Sequence, residues 1–447
     1  MPHAVSEPTE LSFETQQIHA GASIDPVTRA VKTPIYASTA YAFDDAQHVE
    51  DLTTFKVKGY HYARVSQPTN TVLEDRVAKL EGGIGAVAVA SGQAATLAAI
   101  IALAKSGDNF VVSAKLYGGT FYQFRHFLPR LGITGKFVAT NDPADFEAAI
   151  DENTKGVLVE SITNPMLEVL DLQAIADAAH RHGVPFIVDN TFGAAGYLIK
   201  PIDYGADCVL HSATKWLGGH GAVLGGLVVD AGNFDWASNP RFPEFNCPFP
   251  GYHGMILTKQ FGRSAFLAKM KLETMREMGA TLSPFATFNL LQGAETLSLR
   301  MDKHTSNALA LAEWLENHPA TLWTSHPGLA SHPSHALFKR YLPRGSGGML
   351  AFALKPLATA QGEKPSDVLA AEFIDATQLA IHAPNVGDTR TLVVHPARTT
   401  HRQLTPEEAA ENGSTSDLIR VSVGLEDIKD IINDFAQAIE KTTGIRA

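Results

Sequence analysis

The feature of this sequence that most constrains its fold is a regular alternation of short apolar runs with longer helical patterns between residues 71 and 229. The apolar runs predict buried strands at 86–91, 109–114, 136–139, 156–162, 185–189, 206–210 and 226–229. The longer segments predict helices at 71–80, 92–105, 118–128, 143–150 and 171–182. Continuous apolar strands that alternate with helices are typical of parallel sheets covered on both faces. The pattern therefore predicts an α/β fold with a mostly parallel sheet flanked by helices.

The segments on either side of this region have different patterns. Residues 1–66 contain prolines and turn formers that interrupt the apolar positions, so we expect an N-terminal arm that lies on a partner subunit. Residues 67–290 form the predicted large domain, in which the Pro-, Gly- and aromatic-rich segment 231–260 predicts a long ordered loop of a kind that is often functional. Residues 291–447 form a predicted smaller α+β domain, with strands at 349–354, 391–394 and 418–423 and helices at 366–377 and 428–442.

Composition and charge argue against several classes of partner. The 447 residues carry a formal net charge of -11 and no cluster of lysine or arginine, so we expect neither nucleic acid nor an anionic membrane as a partner. No run of about 18 apolar residues predicts a transmembrane helix, and the polar N-terminal segment does not resemble a signal peptide. Only Cys208 and Cys247 are present, far apart, which favours a reducing compartment. We therefore expect a cytoplasmic protein.

Polar residues of several chemical types follow the predicted strands. In open parallel sheets, ligands bind beyond the carboxyl ends of the strands, and those ends share one edge. A single edge would thus collect a glycine that opens a helix, two amides, an aromatic ring, an acid, two hydroxyls and an amine. These residues are, in chain order, Gly92, Gln93, Tyr117, Asn164, Asp189, Ser212, Thr214 and Lys215. A lysine at the end of a buried strand is partly desolvated, which favours its neutral amine, a possible Schiff-base nucleophile.

This combination of residue types suits pyridoxal phosphate. The free N–H groups at Gly92 and the hydroxyls of Ser212 and Thr214 could bind its phosphate. Tyr117 could stack on a flat ring. Asp189 could pair with the ring nitrogen and keep it protonated, so that the ring accepts electrons. Lys215 would supply the Schiff base. Each residue alone has an ordinary structural explanation, but together they predict cofactor binding.

Two other motifs do not predict sites. Gly83, Gly85 and Ala88 match a dinucleotide-binding pattern, but the glycines precede a strand instead of joining a strand to a helix. The histidines at 326, 332 and 335 lie among prolines without a cysteine or a paired carboxylate, so we expect no metal site.

The segment Ser212-Ala213-Thr214-Lys215-Trp216-Leu217-Gly218-Gly219-His220 resembles the lysine motif of the Cys/Met-metabolism family of pyridoxal-phosphate enzymes, the cystathionine γ-synthase-like group. The similarity extends over nearly the whole chain. Three features resemble the sulfhydrylase branch of this family: the long loop ending at Gly254, the segment Tyr117-Gly118-Gly119-Thr120, which has glycine where methionine γ-lyases carry cysteine, and the segments 385–388 and 395–401. One departure is Asn246-Cys247-Pro248-Phe249-Pro250, where sulfhydrylases more often carry Glu-Pro-Asp-Pro or Cys-Pro-Asp-Pro.

The resemblance implies a fold and residue roles beyond those argued from the residues themselves. It implies the type I fold of pyridoxal-phosphate-dependent transferases and a catalytic role for Lys215, Tyr117 and Asp189. Asn164 would contact the ring hydroxyl, and Gln93 would help to hold the phosphate. Arg420 would clamp the substrate carboxylate, for which its planar fork is suited. Further residues implied in binding are Asn385, for the substrate, and Tyr62 and Arg64, which would reach the phosphate of a neighbouring subunit, with Tyr62 also contacting substrate.

The resemblance also implies an activity and an assembly. The expected reaction is γ-replacement on O-acetyl-L-homoserine by sulfide or methanethiol, giving L-homocysteine or L-methionine and acetate. The expected assembly is a homotetramer built from dimers that share active sites. Cystathionine γ-synthase activity, which uses cysteine, and methionine γ-lyase activity remain alternatives. A non-catalytic binding protein with the same fold is a more remote one, against which the intact set of lysine, aspartate and arginine argues.

Overall fold

The computed structural model describes residues 11–360, 362–400, 402 and 404–446. Its α-helices are α1 (Phe13–His19), α2 (Ala46–Thr53), α3 (Pro68–Glu81), α4 (Gly92–Leu103), α5 (Gly118–Tyr122), α6 (Pro143–Ala149), α7 (Leu172–Arg181), α8 (Leu257–Phe261), α9 (Ala265–Lys269), α10 (Met275–Met278), α11 (Pro284–Glu295), α12 (Leu297–Asn317), α13 (His335–Tyr341), α14 (Ser366–Ala376), α15 (Pro406–Asn412) and α16 (Ile428–Thr443). Its strands are β1 (Gly85–Val89), β2 (Asn109–Ser113), β3 (Thr134–Val138), β4 (Thr154–Glu160), β5 (Phe186–Asp189), β6 (Cys208–Ser212), β7 (Gly226–Asp230), β8 (Thr321–Ser325), β9 (Met349–Leu354), β10 (Leu357–Thr359), β11 (Gly362–Lys364), β12 (Ile381–His382), β13 (Leu392–Val394) and β14 (Ile419–Ser422).

The larger sheet has seven strands in the order β1-β7-β6-β5-β4-β2-β3. Only β7 runs against the others, pairing antiparallel with β1 and with β6. Successive side chains of a strand point to opposite faces, and here both faces are buried. Val159 and Val188 enter one core, whereas their neighbours Leu158 and Ile187 enter the other. The predicted α/β class with a mostly parallel sheet flanked by helices is confirmed.

The C-terminal part forms a second sheet of five strands in the order β12-β13-β14-β9-β8. A third apolar core lies between this sheet and the helices α12, α14 and α16. The predicted strands near 349, 391 and 418 are present as β9, β13 and β14. Strand β8, the two-residue β12 and the hairpin β10–β11 were not predicted, because short or half-exposed strands give little periodicity.

Helix α12 connects the two sheets. Its first residues, Leu297 and Met301, belong to the core of the large sheet, and Leu311 and Leu315 belong to the core of the small one. The predicted division of the chain at residue 290 falls inside α11 and stays a prediction.

Several predicted boundaries differ from the structure. The predicted helix 118–128 is α-helical only over α5, followed by a π-helical turn to Phe127 and a 3-10 turn to Leu131. Pro129 cannot donate to the turn before it, and Gly132 ends the segment with φ 76°. Strand β6 begins and ends two residues later than predicted, so that Ser212 lies in the strand and not after it.

The described part of the N-terminal arm, residues 11–66, contacts its own chain near both ends: α1 lies at one end, and at the other Arg64 donates to the carbonyl of Arg276. In helix α1, the ring centroid of Phe13 lies 5.0 Å from that of Tyr197. Gln17 of the same helix donates a hydrogen bond to the hydroxyl of Ser298. Beyond α1 the arm is mostly exposed: 86% of Val27 and 82% of Val31 are accessible. An arm that covers a partner subunit stays a prediction. In the described residues, every helix is too short or too polar to cross a membrane.

The segment 231–260 is an ordered loop, as predicted. It contains short 3-10 turns at Pro243–Phe245 and Pro250–Tyr252. Trp236 is buried and stacks on Phe245, with ring centroids 4.7 Å apart. No residue of this segment lines the cavity described below.

Candidate active site

A cavity of about 220 Å³ lies at the carboxyl edge of the large sheet. The ends of β1, β4, β5 and β6 lead into it, and residues of the small sheet and its loops close the other side. Ten residues predicted from the sequence line it: Gly92, Gln93, Tyr117, Asn164, Asp189, Ser212, Thr214, Lys215, Asn385 and Arg420. The convergence at one edge that the strand-end pattern predicts is thus present in the structure.

Lys215 lies three residues after the end of β6, in a tight turn. Its Nζ donates a hydrogen bond to Oδ1 of Asn385, 2.7 Å away. Burial, and then the positive charge of Arg420, lower the pKa of Lys215 from its usual value to about 8. A lysine with such a pKa supplies neutral amine near physiological pH, which is the form that attacks carbonyl carbon.

Asp189 ends β5 and faces the same cavity. Its Oδ1 accepts hydrogen bonds from the backbone N–H of Thr191 at 2.9 Å and from its hydroxyl at 2.6 Å. Burial raises the pKa of Asp189, although both contacts with Thr191 oppose that shift. Among the described residues Asp189 has no cationic side chain in ion-pair contact, so a protonated ring nitrogen would give this carboxylate the partner it lacks.

The start of α4 forms a backbone cradle on the opposite side. Ser91 caps the helix by accepting a hydrogen bond from the N–H of Ala94 at 3.2 Å. The N–H groups of the first helical residues, Gly92 and Gln93, have no acceptor within the helix and are open to an anion. A Cβ on Gly92 would lie only 2.7 Å from Cβ of Ser212, so glycine is needed for this close approach. Thr214 lines the cavity, but its hydroxyl already contacts the backbone of Gly225.

Arg420 enters the cavity from β14 of the small sheet. It is 3% exposed, and its Nη1 donates to Oδ1 of Asn164 at 3.1 Å. Within the described part of the chain, its buried Nε has no hydrogen-bond partner. Burial lowers the pKa of Arg420 to about 10. A buried guanidinium with unused donors is costly unless an anion binds it, which suits a substrate carboxylate.

Glu160 is a cavity residue to which sequence reasoning gave no role. It is the last residue of β4 and lies opposite Asp189 in the register of the sheet. Its Oε1 accepts a hydrogen bond from the backbone N–H of Tyr117 at 2.6 Å. Burial, and then the nearby Asp189, raise the pKa of Glu160 well above its usual value. The strand-end argument that selected Asp189 would have selected Glu160 too, since both end neighbouring strands.

The structure does not bring Tyr62 and Arg64 to the cavity of their own chain. Arg64 donates to the carbonyl of Arg276 at 2.6 Å, and its Cζ lies 5.5 Å from the ring centroid of Tyr62. Both side chains are exposed. Their predicted contact with the phosphate of a neighbouring subunit stays a prediction, and His401 of the predicted sulfhydrylase motif lies outside the described residues.

Comparison with known proteins agrees with this geometry. The family model described as Cys/Met metabolism PLP-dependent enzyme matches residues 14–440. The chain is 53% identical to homocysteine synthase of Schizosaccharomyces pombe, over 96% of this chain and 98% of that one. It is 46% identical to O-acetyl-L-homoserine sulfhydrylase 1 of Thermus thermophilus, over 96% and 100%. A crystal structure from Campylobacter jejuni, of a protein assigned as an O-acetylhomoserine (thiol)-lyase and carrying a pyridoxyl-lysine monophosphate, superimposes with a TM-score of 0.92 at 37% identity, covering 96% of this chain and 100% of that one.

The residues present fit pyridoxal phosphate. Gly92 leaves room for an anion at a helix start, Asp189 is buried without a cation, and Lys215 is a buried amine of lowered pKa. These groups line one cavity at the carboxyl edge of the large sheet.

Proposed function

The chain belongs to the Cys/Met metabolism PLP-dependent enzymes, and we propose that it catalyses γ-replacement on O-acetyl-L-homoserine. Sulfide would replace the γ-acetoxy group, giving L-homocysteine and acetate, and methanethiol would give L-methionine and acetate. The observation that carries this proposal is that a buried amine of lowered pKa, Lys215, shares one cavity with a buried guanidinium, Arg420, whose Nε has no hydrogen-bond partner among the described residues. The names of the sulfhydrylase relatives support the choice of substrate.

Each group of cofactor-binding residues would contact a different part of the cofactor. The N–H groups of Gly92 and Gln93, with the hydroxyls of Ser212 and Thr214, would hold the phosphate, and Tyr62 and Arg64 of a neighbouring subunit would complete that site. Asp189 would hold a proton on the ring nitrogen. Tyr117 would lie on the ring face, and Asn164 would contact the ring hydroxyl. When bound, pyridoxal phosphate supplies the electron sink that makes protons at the α- and β-carbons of the substrate acidic.

The catalytic work of the chain then falls mainly to Lys215. Its Nζ would hold the cofactor covalently. As a free amine, the same group would be the base that takes the proton from the α-carbon of the substrate. A pKa of about 8 suits this role, because a general base works best when its pKa is close to the working pH. Arg420 would bind the substrate carboxylate, and Asn385, which accepts a hydrogen bond from Nζ, would hold the free amine near the substrate.

The test of this assignment is substitution of Lys215 by Ala, with product analysis. We expect no homocysteine above the rate of the uncatalysed reaction in Lys215→Ala, while Lys429→Ala, which changes an exposed lysine on α16, keeps wild-type turnover. Borohydride reduction followed by mass spectrometry should place the cofactor on residue 215 of the wild type. Turnover retained in Lys215→Ala, or label on another lysine, would contradict the assignment.

A substrate panel separates the proposed reaction from its alternatives. Wild-type enzyme with O-acetylhomoserine should give homocysteine with sulfide. Cystathionine as the main product with cysteine would indicate a γ-synthase, and a 2-oxo acid without any thiol would indicate a γ-lyase. A colourless protein that binds no cofactor would indicate a non-catalytic relative.

We also propose a cytoplasmic homotetramer assembled from dimers that share active sites. The exposed side chains of Tyr62 and Arg64 and the mostly exposed arm support the sharing of sites. The free thiol of Cys247, which is exposed, supports a reducing compartment.

A further inference from the structure

Helix α12 carries three buried polar side chains on one face. Arg300 is 6% exposed, His304 0% and Asn307 2%. Their spacing of four and three residues places them on the same side of a helix, one above another. Each of the three contacts backbone carbonyls of segments next to the candidate active site, and none of them lines the cavity. A buried polar side chain costs free energy unless it is hydrogen-bonded, and each of these three makes at least one such bond to a backbone carbonyl.

Arg300 holds the turn that carries Lys215. Its Nη1 donates to the carbonyl of Trp216 at 2.8 Å, and its Nη2 donates to the carbonyls of Leu217 at 3.3 Å and Gly293 at 2.7 Å. A Cβ on Gly219 would overlap the guanidinium, so the turn closes directly over it. Within the described residues Arg300 has no carboxylate partner, and burial lowers its pKa to about 10. The positive charge is therefore compensated by these carbonyl oxygens and by the hydroxyl of Thr296, which accepts from Nε at 3.4 Å.

His304 lies between the lysine turn and the strand that carries Arg420. Its ring packs edge to face on Trp216, with ring centroids 4.9 Å apart. Its Nδ1 donates to the carbonyl of Val423 at 2.7 Å, just after the end of β14. Burial lowers the pKa of His304 to about 4, so the ring is neutral at physiological pH and this hydrogen bond does not depend on protonation.

Asn307 contacts only the arginine side. Its Nδ2 donates to the carbonyls of Gly424 at 3.0 Å and Glu426 at 2.9 Å. One helical face therefore holds the turn that follows Lys215 at one end and the segment that follows Arg420 at the other.

We propose that this face of α12 is a brace that fixes the position of Lys215 relative to Arg420, with Arg300, His304 and Asn307 as its positioning residues. Lys215 follows the large sheet and Arg420 lies in the small one, so their relative position depends on whatever joins the sheets. The rigid fork of Arg300 suits this role, because it binds several carbonyls in one plane. The proposal rests on the proposed function only in that the cavity binds pyridoxal phosphate and an amino-acid substrate.

The decisive experiment looks for an effect across the brace. Asn307→Ala removes contacts on the arginine side only. If the brace is continuous, backbone amides of residues 214–219 should exchange with deuterium roughly fivefold faster in this variant than in the wild type, with or without cofactor. The pH midpoint of the absorption change of the bound cofactor, which reports on its bond to Lys215, should move by about 0.5 unit or more.

The reverse effect is tested with Arg300→Lys, which keeps the charge and loses the fork. Among the described residues, Arg300 makes no hydrogen bond to the segment that carries Arg420. An increase in KM for the amino-acid substrate would therefore show that Arg420 has moved too. We expect kcat to fall and KM to rise, with kcat/KM lower by roughly 10- to 100-fold, since small displacements of a catalytic group have effects of this size. If Arg300→Lys does not fold, Asn307→Ala and His304→Gln carry the test.

Lys303→Gln is the matched control, because Lys303 lies on the exposed face of the same helix. It should leave amide exchange, the pH midpoint and both kinetic constants as in the wild type. The brace is refuted if Asn307→Ala lowers the melting temperature but leaves exchange at 214–219 and the pH midpoint unchanged, because the residue then stabilises the fold without positioning Lys215. The exchange and absorption readouts do not depend on which ester or thiol reacts, so a wrong substrate assignment would leave this result intact.

Discussion

The chemistry of the site depends on two cations that share one cavity. Lys215 donates to the neutral amide of Asn385, and Arg420 donates to the neutral amide of Asn164. Among the described residues, neither forms an ion pair with a carboxylate. Since like charges disfavour each other in a buried site, Arg420 helps to keep Lys215 neutral. The guanidinium of Arg420 would therefore have two roles. It would bind the substrate carboxylate, and it would lower the pKa of Lys215 so that more of the lysine is the neutral amine.

This double role can be tested by replacing Arg420 with Met in enzyme freed of cofactor. Burial lowers the pKa of Lys215 first and Arg420 lowers it further, so removing the guanidinium should raise that pKa from about 8. Burial remains in the variant, so the new value should stay below the 10.5 of an ordinary lysine. The pKa of Lys215 can be measured in the wild type and in Arg420→Met from the rate at which an amine-specific reagent acylates Lys215 between pH 6 and 11. Peptide mass spectrometry follows the acylation, and the midpoint of each pH profile gives the pKa.

Arg130→Met serves as the control, because it removes an exposed arginine that does not line the cavity. Its midpoint for Lys215 should equal that of the wild type. An unchanged or lower midpoint in Arg420→Met would mean that Arg420 has no electrostatic influence on the lysine.

At the residue scale, the sequence predicts those site residues that follow strands of a regular pattern. Asp189 and Lys215 were selected in this way because parallel strands bring their carboxyl ends to one edge. Arg420 was assigned by family resemblance, since spacing alone gives no reason to join β14 to the large sheet. Arg300 was not selected at all, because a buried arginine in a helix of mixed polarity has the same local pattern as an exposed one.

At the scale of elements, the junction of β6 with α4 shapes the proposed phosphate cradle. Gly92 opens α4, and Ser212 ends β6. The close approach of these two residues keeps the N–H groups at the start of the helix near the hydroxyl of Ser212. Any side chain on Gly92 would separate the helix from the strand.

Gly92→Ala should therefore weaken cofactor binding. A Cβ would lie 2.7 Å from Cβ of Ser212, closer than side-chain carbons pack, so helix or strand must move. Overpacking of this kind costs about 1–3 kcal/mol, and we expect the Kd for pyridoxal phosphate to rise by roughly tenfold or more. Fluorescence or absorbance titration of the apo-enzyme measures this. Gly251→Ala is the control, because nothing lies within 4 Å of the added atom there. A Kd equal to that of the wild type in Gly92→Ala would show that the cradle tolerates the displacement.

Element boundaries were predicted less well than element order. The strands of the large sheet were found in sequence because each is a short run of apolar residues, buried on both faces. Their ends were shifted by up to two residues, as for β6, since flanking residues such as His211 and Ser212 are polar and yet continue the strand. His211 is tolerated there because its ring contacts the buried Glu81 at 2.7 Å, a partner that periodicity cannot indicate.

At the scale of the whole molecule, the two sheets supply different parts of one site. The large sheet provides the residues proposed to hold the cofactor, and the small sheet provides Arg420. Helix α12 is shared by the cores of both. The sequence predicted a mostly parallel sheet followed by a smaller α+β unit, and the two sheets lie in that order along the chain. It could not predict how they are joined, because α12 has ordinary helical periodicity throughout its length.

The arm adds a third contribution if it completes the phosphate site of a neighbouring subunit, and this can be tested by mixing variants. Arg64→Ala should reduce activity through the neighbour's site, and Lys215→Ala should abolish activity through its own. In a mixed dimer, one site then carries both substitutions and the other carries neither. Unfolding and refolding the two variants together should add roughly a quarter of wild-type activity to what the Arg64→Ala dimers retain, because about half of the dimers formed at random are mixed and each contains one intact site.

Mixing Asp189→Asn with Lys215→Ala is the matched control, since both of these residues line the cavity of a single chain. A mixed dimer of Asp189→Asn and Lys215→Ala has one substitution in each site, so neither site is intact and activity should not exceed the sum of the two variants. If Arg64→Ala and Lys215→Ala behave in the same way, Arg64 acts within its own subunit or not at all. Recovery with Arg64→Ala and none with Asp189→Asn is the result expected when the side chain of Arg64 crosses between subunits. Only then does mixing put both substitutions in one site and leave the other site intact.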